Sequence, residues 1–458
     1  MKFVSFFYYF ILFTVFSSNS FGQVSKGIIS GPMLGQVELR TAKIWIEVVP
    51  GTAIDLWYWK KGAMATAQKL SETTNPKTWF TPVTFDLVGL DMNTTYEYQF
   101  NVTKGTKGPS KAQGEFTTKD LWQYRKPAPD FSFLAGSCLY VNEPIYDRPQ
   151  PYGKDSSILE SMAKEKSAFM LWLGDNWYTR ESDFFSDWGL WYRASHDRKE
   201  RIMQNFLKAM PHYAIWDDHD YGPNNADKSY NLKETSRKVF TSYWGNPSYG
   251  EDGIGIYTKF SFADADFFLL DDRTFRSADF MDALVDGKPN PDKRMFGEKQ
   301  MTWLKNALIN SYAPFKIIVT GSQVLNVAST LDCLNDYPVE FQELLGFLES
   351  EKIPGILFMT GDRHHSEVIR YERPKAYTLY DITTSPLSAG VSAVRDGEKD
   401  NPARVTGTLV EAQNYSRISI SGKQRERKLK VEFLGLKGEK LAEWNIGEND
   451  LRFPAVKK

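Results

Sequence analysis

Cysteine is nearly absent: the 458-residue chain carries two, Cys138 and Cys333. A fold built on a disulfide framework is thereby excluded, and at most one bridge remains open. Histidine is scarce as well, with five residues at positions 196, 212, 219, 364 and 365. An excess of one charge is also missing, because 56 Lys and Arg face 57 Asp and Glu, a net charge of -1. A general nucleic-acid or anionic-membrane binder draws on a basic excess, so neither class has support and any anion must be held locally. Internal repeats and low-complexity tracts are absent. No run after the N-terminus reaches spanning length, so a soluble mature monomer without a transmembrane segment is expected.

What is present begins with Lys2, an apolar run from Phe3 to Phe16, and the small polar stretch Ser17-Ser18-Asn19-Ser20. That layout predicts a signal peptide over residues 1–22, cut near Gly22-Gln23, and export to the periplasm or medium. A short buried helix is the alternative for the same run.

Residues 27–119 carry short β-rich runs between turn residues, such as Ala42 to Val48, Ile54 to Tyr58, Val83 to Leu87, Thr95 to Val102 and Gly114 to Thr118. Alternation and aromatic content predict a small antiparallel sandwich. Val88-Gly89-Leu90 ahead of Thr95-Tyr96-Glu97-Tyr98 resembles the turn and penultimate strand of a fibronectin type III module. Its aromatics read as packing residues rather than a sugar platform.

Lys126-Pro127-Ala128-Pro129 forms a stiff linker, and from Asp130 to about 447 strands alternate with helical stretches, an α/β pattern. Five apolar runs end in polar clusters: Phe131 to Ala135 before Gly136-Ser137-Cys138, and Phe169 to Leu173 before Gly174-Asp175. The others are Tyr213 to Trp216 before Asp217-Asp218-His219-Asp220, Phe267 to Leu270 before Asp271-Asp272-Arg273, and Gly355 to Met359 before Gly361-Asp362-Arg363-His364-His365. A sixth run, Phe315 to Val319, leads into Thr320-Gly321-Ser322-Gln323. Continuous apolar runs suit strands buried on both faces, whose carboxyl ends share one rim where open α/β folds place ligands. Helices are expected over 157–164, 298–310 and 340–351. A terminal hairpin pairing 428–433 with 441–446 is expected to cover a sheet edge.

Hard cations need several anionic oxygens at one point, and Asp175, Asp218 and Asp362 supply them on short stems. A lone strand-end Asp is usually a turn or cap residue. Three together, joined by His219, His364 and His365, favour a metal site with an imidazole acid.

The blocks Gly174-Asp175-Asn176-Trp177-Tyr178, Trp216-Asp217-Asp218-His219-Asp220 and Gly361-Asp362-Arg363-His364-His365 resemble those of calcineurin-like metallophosphoesterases, in their PhoD-like alkaline phosphatase D branch. The resemblance implies a four-layer α/β/β/α sandwich preceded by an all-β fibronectin type III-like domain. It implies that Asp175 bridges two ions, and that Cys138, Tyr178 and His364 complete the set of a ferric ion (Fe3+). Asp218 and Asp362 fall to a second ion, where oxygen in place of nitrogen favours calcium (Ca2+), with other divalent metals open. Gln323 stands where wider relatives keep a histidine and is the candidate for that ion's last ligand. His219 matches a non-ligand histidine that protonates the leaving group, with Asp220 placed to orient it. Arg273 suits phosphate oxygens or a structural salt bridge equally. For Cys138 the alternative is a buried free thiol. Thr383-Thr384-Ser385-Pro386-Leu387 resembles a further block with a scaffold role.

The implied activity is hydrolysis of a phosphate ester by a hydroxide held between the metals, as in an alkaline phosphatase. A diester hydrolase is the alternative within enzymes. From another class, the alternative is an exported binding module with a degenerate metal site.

Overall fold

The computed structural model describes residues 27–104, 110–329 and 332–454. The expected signal peptide lies outside them.

Seven strands open the described chain: β1 (Ile28–Val37), β2 (Thr41–Val48), β3 (Ala53–Lys60), β4 (Gln68–Thr73), β5 (Pro82–Val88), β6 (Thr95–Thr103) and β7 (Ser110–Thr117). They form two antiparallel sheets ordered β1-β2-β5 and β4-β3-β6-β7. Ile44, Leu56, Leu87 and Phe100 point between the sheets and are fully buried. The Tyr96 hydroxyl accepts the Asp91 N–H at 2.9 Å, pinning the start of β6 to the turn before it, the corner expected of such a sandwich. Sequence alternation misses β1 and β4. Gly31, Pro32 and Gly35 disguise β1 as turns, and β4 is an almost wholly exposed edge strand.

The chain continues through β8 (Phe131–Gly136), α1 (Ile158–Met162), β9 (Met170–Leu173), α2 (Asp187–Lys199), α3 (Arg201–Leu207), β10 (His212–Ile215), α4 (Asp218–Tyr221) and α5 (Lys233–Tyr243). There follow β11 (Thr258–Phe262), β12 (Ala265–Leu269), a small hairpin of β13 (Leu284–Val285) and β14 (Lys288–Pro289), α6 (Gly297–Ile309), β15 (Phe315–Val319) and α7 (Pro338–Ser350). The last strands are β16 (Ile356–Thr360), β17 (Glu367–Tyr371), β18 (Leu379–Thr383), β19 (Tyr415–Ser421), β20 (Lys428–Leu434) and β21 (Lys440–Gly447).

These strands make two six-stranded mixed sheets, ordered β10-β9-β8-β19-β20-β21 and β11-β12-β15-β16-β18-β17. The sheets face each other through aromatic side chains, Phe133 and Phe169 each meeting Phe267 edge-on at 5.2 and 5.3 Å between ring centroids. Outside the first sheet, Trp172 packs on Phe206 of α3. Beside the second, Gln300 of α6 exchanges hydrogen bonds with the Asp271 backbone and Phe341 of α7 packs on Tyr371. The architecture is an N-terminal all-β unit followed by an α/β/β/α sandwich. The terminal hairpin forms as expected: β20 zips onto β19 and covers that strand's edge, and β21 becomes the outer strand.

Within the two sheets β8, β9 and β10 run parallel, and so do β12, β15, β16 and β18. Their carboxyl ends therefore deliver Cys138, Asp175, Asp218, Asp272, Gln323, Asp362 and Ser385 toward one rim. The β-sandwich packs behind this unit: Trp45 Nε1 donates to the Ser242 carbonyl at 2.8 Å, and Glu47 accepts from Ser195 and Tyr243. At Gly35 the backbones meet so closely that a Cβ would lie 2.6 Å from the Gly245 oxygen. Among the described residues, no helix is long and apolar enough to cross a membrane.

Candidate metal centre

Backbone geometry marks the rim first. Cys138, Asp175, Asp362 and His364 adopt φ of 59, 52, 65 and 59°, the left-handed region that non-glycine residues rarely occupy. Such conformations gather at functional sites, where surrounding structure holds them in place. Three of the four, Cys138, Asp175 and His364, bring their side chains into one buried group.

One cluster joins β8, β9 and β16. Tyr178 Oη donates to Asp175 Oδ2 at 2.9 Å, and Cys138 Sγ lies 3.6 Å from the same oxygen. His364 Nε2 stands 3.1 Å from the Tyr178 oxygen. Cys138, Asp175 and His364 each offer an atom within 4.8 Å of the others. All four residues are buried. His364 Nδ1 faces the Gly390 carbonyl at 2.5 Å. A carbonyl only accepts, so Nδ1 carries the proton and Nε2 presents its lone pair to the cluster, the arrangement of a metal-ligating imidazole.

A second group shares Asp175. Its carboxylate, that of Asp218 and a ring nitrogen of His219 lie within 4.8 Å of one another. The His219 backbone N–H donates to Asp175 Oδ1 at 3.3 Å, and the imidazole lies against the Tyr178 ring, centroids 4.2 Å apart. Asp218 Oδ2 accepts the Asn225 N–H at 2.7 Å, whereas its buried Oδ1 has no hydrogen-bond partner. Nor has His219 Nδ1. Asp362, partly buried, joins neither group at that distance.

The electrostatics call for a cation. Burial, reinforced by Asp218, Asp220 and Asp362, pushes the Asp175 carboxyl far above its ordinary range. Burial, then Asp332 and Asp218, lifts Asp362 to about 7. Cys138 and Tyr178 are raised by burial and by Asp175. Asp218 goes the other way, because His219, Arg273 and the Asn225 N–H outweigh its burial. Crowded desolvated acids, an imidazole lone pair aimed among them and an unpartnered Asp218 oxygen together fit bound metal. One group offers sulfur, phenol and imidazole donors, and the other combines the carboxylates of Asp175 and Asp218 with a ring nitrogen of His219.

Three candidate residues have other engagements. Gln323 is fully buried, its amide donating to Glu367 and Thr383 and its oxygen accepting from Asn326, so no atom of it turns to the cluster. Asp220 accepts the backbone N–H groups of Asn176 and Asp217, tying two strand ends together, and its carboxylate does not orient His219. Burial raises it to about 7. Arg273, wholly buried, bonds Asp217 and lies 3.4 Å from Asp332, with Asp218 and Asp272 near 4 Å. Of its two readings the structural salt bridge is the one its geometry matches.

Sequence reasoning passes over Tyr152, whose hydroxyl lies 3.0 Å from His364 Nδ1. It also gives Ser385 no chemical part. Ser385 Oγ accepts the His364 N–H at 2.9 Å and donates to Cys138 Sγ at 3.2 Å, which favours the thiolate. The Thr383 to Leu387 run was the available signal for Ser385; none existed for Tyr152. Cys138 and Cys333 are both buried and unbridged.

A family model described as PhoD-like phosphatase matches residues 148–430. Alkaline phosphatase D of Bacillus subtilis (strain 168) is 23% identical over 366 residues, which span 68% of this chain and 59% of that relative. The solved structure of PhoD superposes with a TM-score of 0.76 at 17% identity, covering 94% of this chain and 92% of that one. The purple acid phosphatase PPD1 from yellow lupin (Lupinus luteus) seeds gives 0.65 at 10% identity, covering 94% and 78%. These two likenesses establish a shared fold, and the family match runs across most of the two-sheet unit that carries the rim. The chain belongs to the PhoD-like phosphatase family.

Proposed function

We propose that this chain is an exported, metal-dependent phosphoric ester hydrolase of the alkaline phosphatase D type. The observation that supports it most is Asp175, whose one carboxylate is common to both candidate metal groups. Cys138, Asp175, Tyr178 and His364 would hold Fe3+, and Asp175, Asp218 and Asp362 would hold Ca2+ or another divalent ion. Metal at such a site activates water and neutralises the charge of a phosphoryl group.

The chain's own residues prepare this chemistry. The Gly390 carbonyl holds the His364 proton on Nδ1, so Nε2 stays a donor. Ser385 orients both Cys138 and His364. His219, Arg273 and the Asn225 N–H favour the ionised form of Asp218. His219, itself partly exposed, lies with its ring tilted against Tyr178 and Nδ1 unpartnered. It protonates the departing oxygen of the ester. Burial lowers its pKa while Asp218 opposes that shift.

The test is metal analysis of purified protein together with turnover of an aryl phosphate monoester and a bis-aryl diester. Stoichiometric metal with monoester hydrolysis is the expected result. Faster turnover of the diester makes the chain a diesterase, and a metal-free, inactive protein makes it a binding module.

A further inference from the structure

Tyr152 lies far from every block that suggests a metal site, and the fold carries it onto that site. Its hydroxyl is 3.0 Å from His364 Nδ1. Its ring meets His364 at 5.8 Å, Tyr178 at 6.2 Å and Tyr140 at 5.1 Å, the last two edge-on. Tyr152 itself is 37% exposed, whereas Tyr178 and His364 behind it are 3% and 9% exposed.

The segment bearing Tyr152 is anchored immediately after the tyrosine. Asn142 and Gly153 exchange side-chain and backbone hydrogen bonds at 2.9 and 3.0 Å, and the Lys154 N–H donates to the Ser388 carbonyl at 2.6 Å. Tyr140, against which Tyr152 rests, donates its hydroxyl to Asp147 at 2.7 Å and lies under the Arg180 guanidinium at 4.1 Å. Arg180 also bonds Asp147 and the Val141 carbonyl. Opposite, Gly390 leaves room for the ring, since a Cβ there would lie 3.0 Å from Tyr152 Cε2. Anchors on the tyrosine's own loop and a glycine facing it amount to a seat for this side chain.

Resting on the metal-centre reading above, we propose that Tyr152 is a positioning residue of that centre. It shares the His364 Nδ1 proton with the Gly390 carbonyl and closes the outer side of the Tyr178–His364 pair against water. A donor such as Nδ1–H divided between two acceptors holds the imidazole plane in two directions, and partners of a ligating histidine commonly govern how tightly metal is kept. The tyrosine ring adds a second effect, because a chelator must pass it to reach the ligands.

The experiment measures the rate at which an external chelator removes metal from wild type, Tyr152→Phe, Tyr152→Ala and Gly390→Ala, with visible spectra and melting curves of each. Tyr152→Phe keeps the ring and loses the oxygen, so removal should quicken about tenfold, the lower end for such partners, with melting unchanged. Tyr152→Ala should release metal faster still, about a hundredfold. Gly390→Ala retains the hydroxyl but displaces the ring, so its removal rate should fall between those of wild type and Tyr152→Ala. Wild-type removal rates and spectra in folded, metal-loaded variants overturn the assignment of Tyr152 alone. A wild type that takes up no metal removes the metal centre itself, and this role with it.

Discussion

Replacing Asp175 by asparagine should make the metal-free protein more stable than metal-free wild type and the metal-loaded protein less stable than metal-loaded wild type. The side chain keeps its shape, and asparagine tolerates the φ of 52° at this position, so backbone strain does not enter. What changes is charge, together with one acceptor oxygen, because the amide NH2 must face either the Tyr178 hydroxyl, which can turn to accept, or the His219 backbone N–H, which cannot. In metal-free protein the Asp175 carboxylate stands within 4.8 Å of Asp218, where two like charges at an effective dielectric of 20 repel by about 3 kcal/mol. Proton uptake limits that penalty. From the ordinary value of 3.8 to pH 7, it cannot exceed about 4 kcal/mol.

Relief of about 3 kcal/mol, at about 2 °C for each kcal/mol in a large domain, raises the melting temperature of metal-free Asp175→Asn by about 6 °C. The sign with pH follows. Asp175 and Asp362 have raised pKa values, so their stabilising contribution is complete near pH 3.8 and is lost as pH rises, through about 7 for Asp362. The asparagine variant should therefore gain least over wild type at acid pH. With metal at a thousand times its dissociation constant, wild type gains about 4 kcal/mol and the variant forfeits most of this. Calorimetry with and without a chelator reads both orders, and activity should fall by several orders of magnitude. If Asp175→Asn melts below wild type under both conditions, Asp175 is a structural hydrogen-bonding residue and the cluster is not built for a cation.

Three further outcomes are expected. His219→Ala should lower turnover about a hundredfold or more while metal content is retained; metal lost in step with activity makes His219 a ligand. Tyr178→Phe should abolish or shift the visible charge-transfer band of an iron-loaded protein with little change in melting, and Cys138→Ser separates any thiolate contribution. An unchanged spectrum at full iron occupancy removes Tyr178 from the ligand set. Arg273→Met leaves Asp217 buried without its partner, so stability should drop by about 3–5 kcal/mol. Wild-type melting with only a raised KM would instead identify Arg273 as a phosphate clamp.

Much of this was legible before folding because it depends on local chemistry. Apolar runs of four or five residues ending in Gly-Asp or Asp-Asp-His declare buried strands and polar ends, since backbone pairing and side-chain burial act within a few residues. Parallel pairing of those strands then brings Asp175, Asp218 and Asp362 to one rim, so the candidate acids followed from pattern alone. Tertiary structure decided which neighbour in each block turns inward. At Asp218-His219-Asp220 the sequence offers two acids around one histidine, and only the backbone shows that Asp220 binds the amides of Asn176 and Asp217. Gln323 follows its strand like the others, yet Glu367, Thr383 and Asn326 claim its amide. Arg273 is enclosed by aspartates that come from three separate segments. Tyr152 reaches His364 across 212 residues of chain. The direction of a side chain in a strand-end turn depends on φ values such as those of Cys138, Asp175 and His364, and on partners supplied from distant segments. Neither is encoded in local periodicity, which records only which residues are buried and which are not.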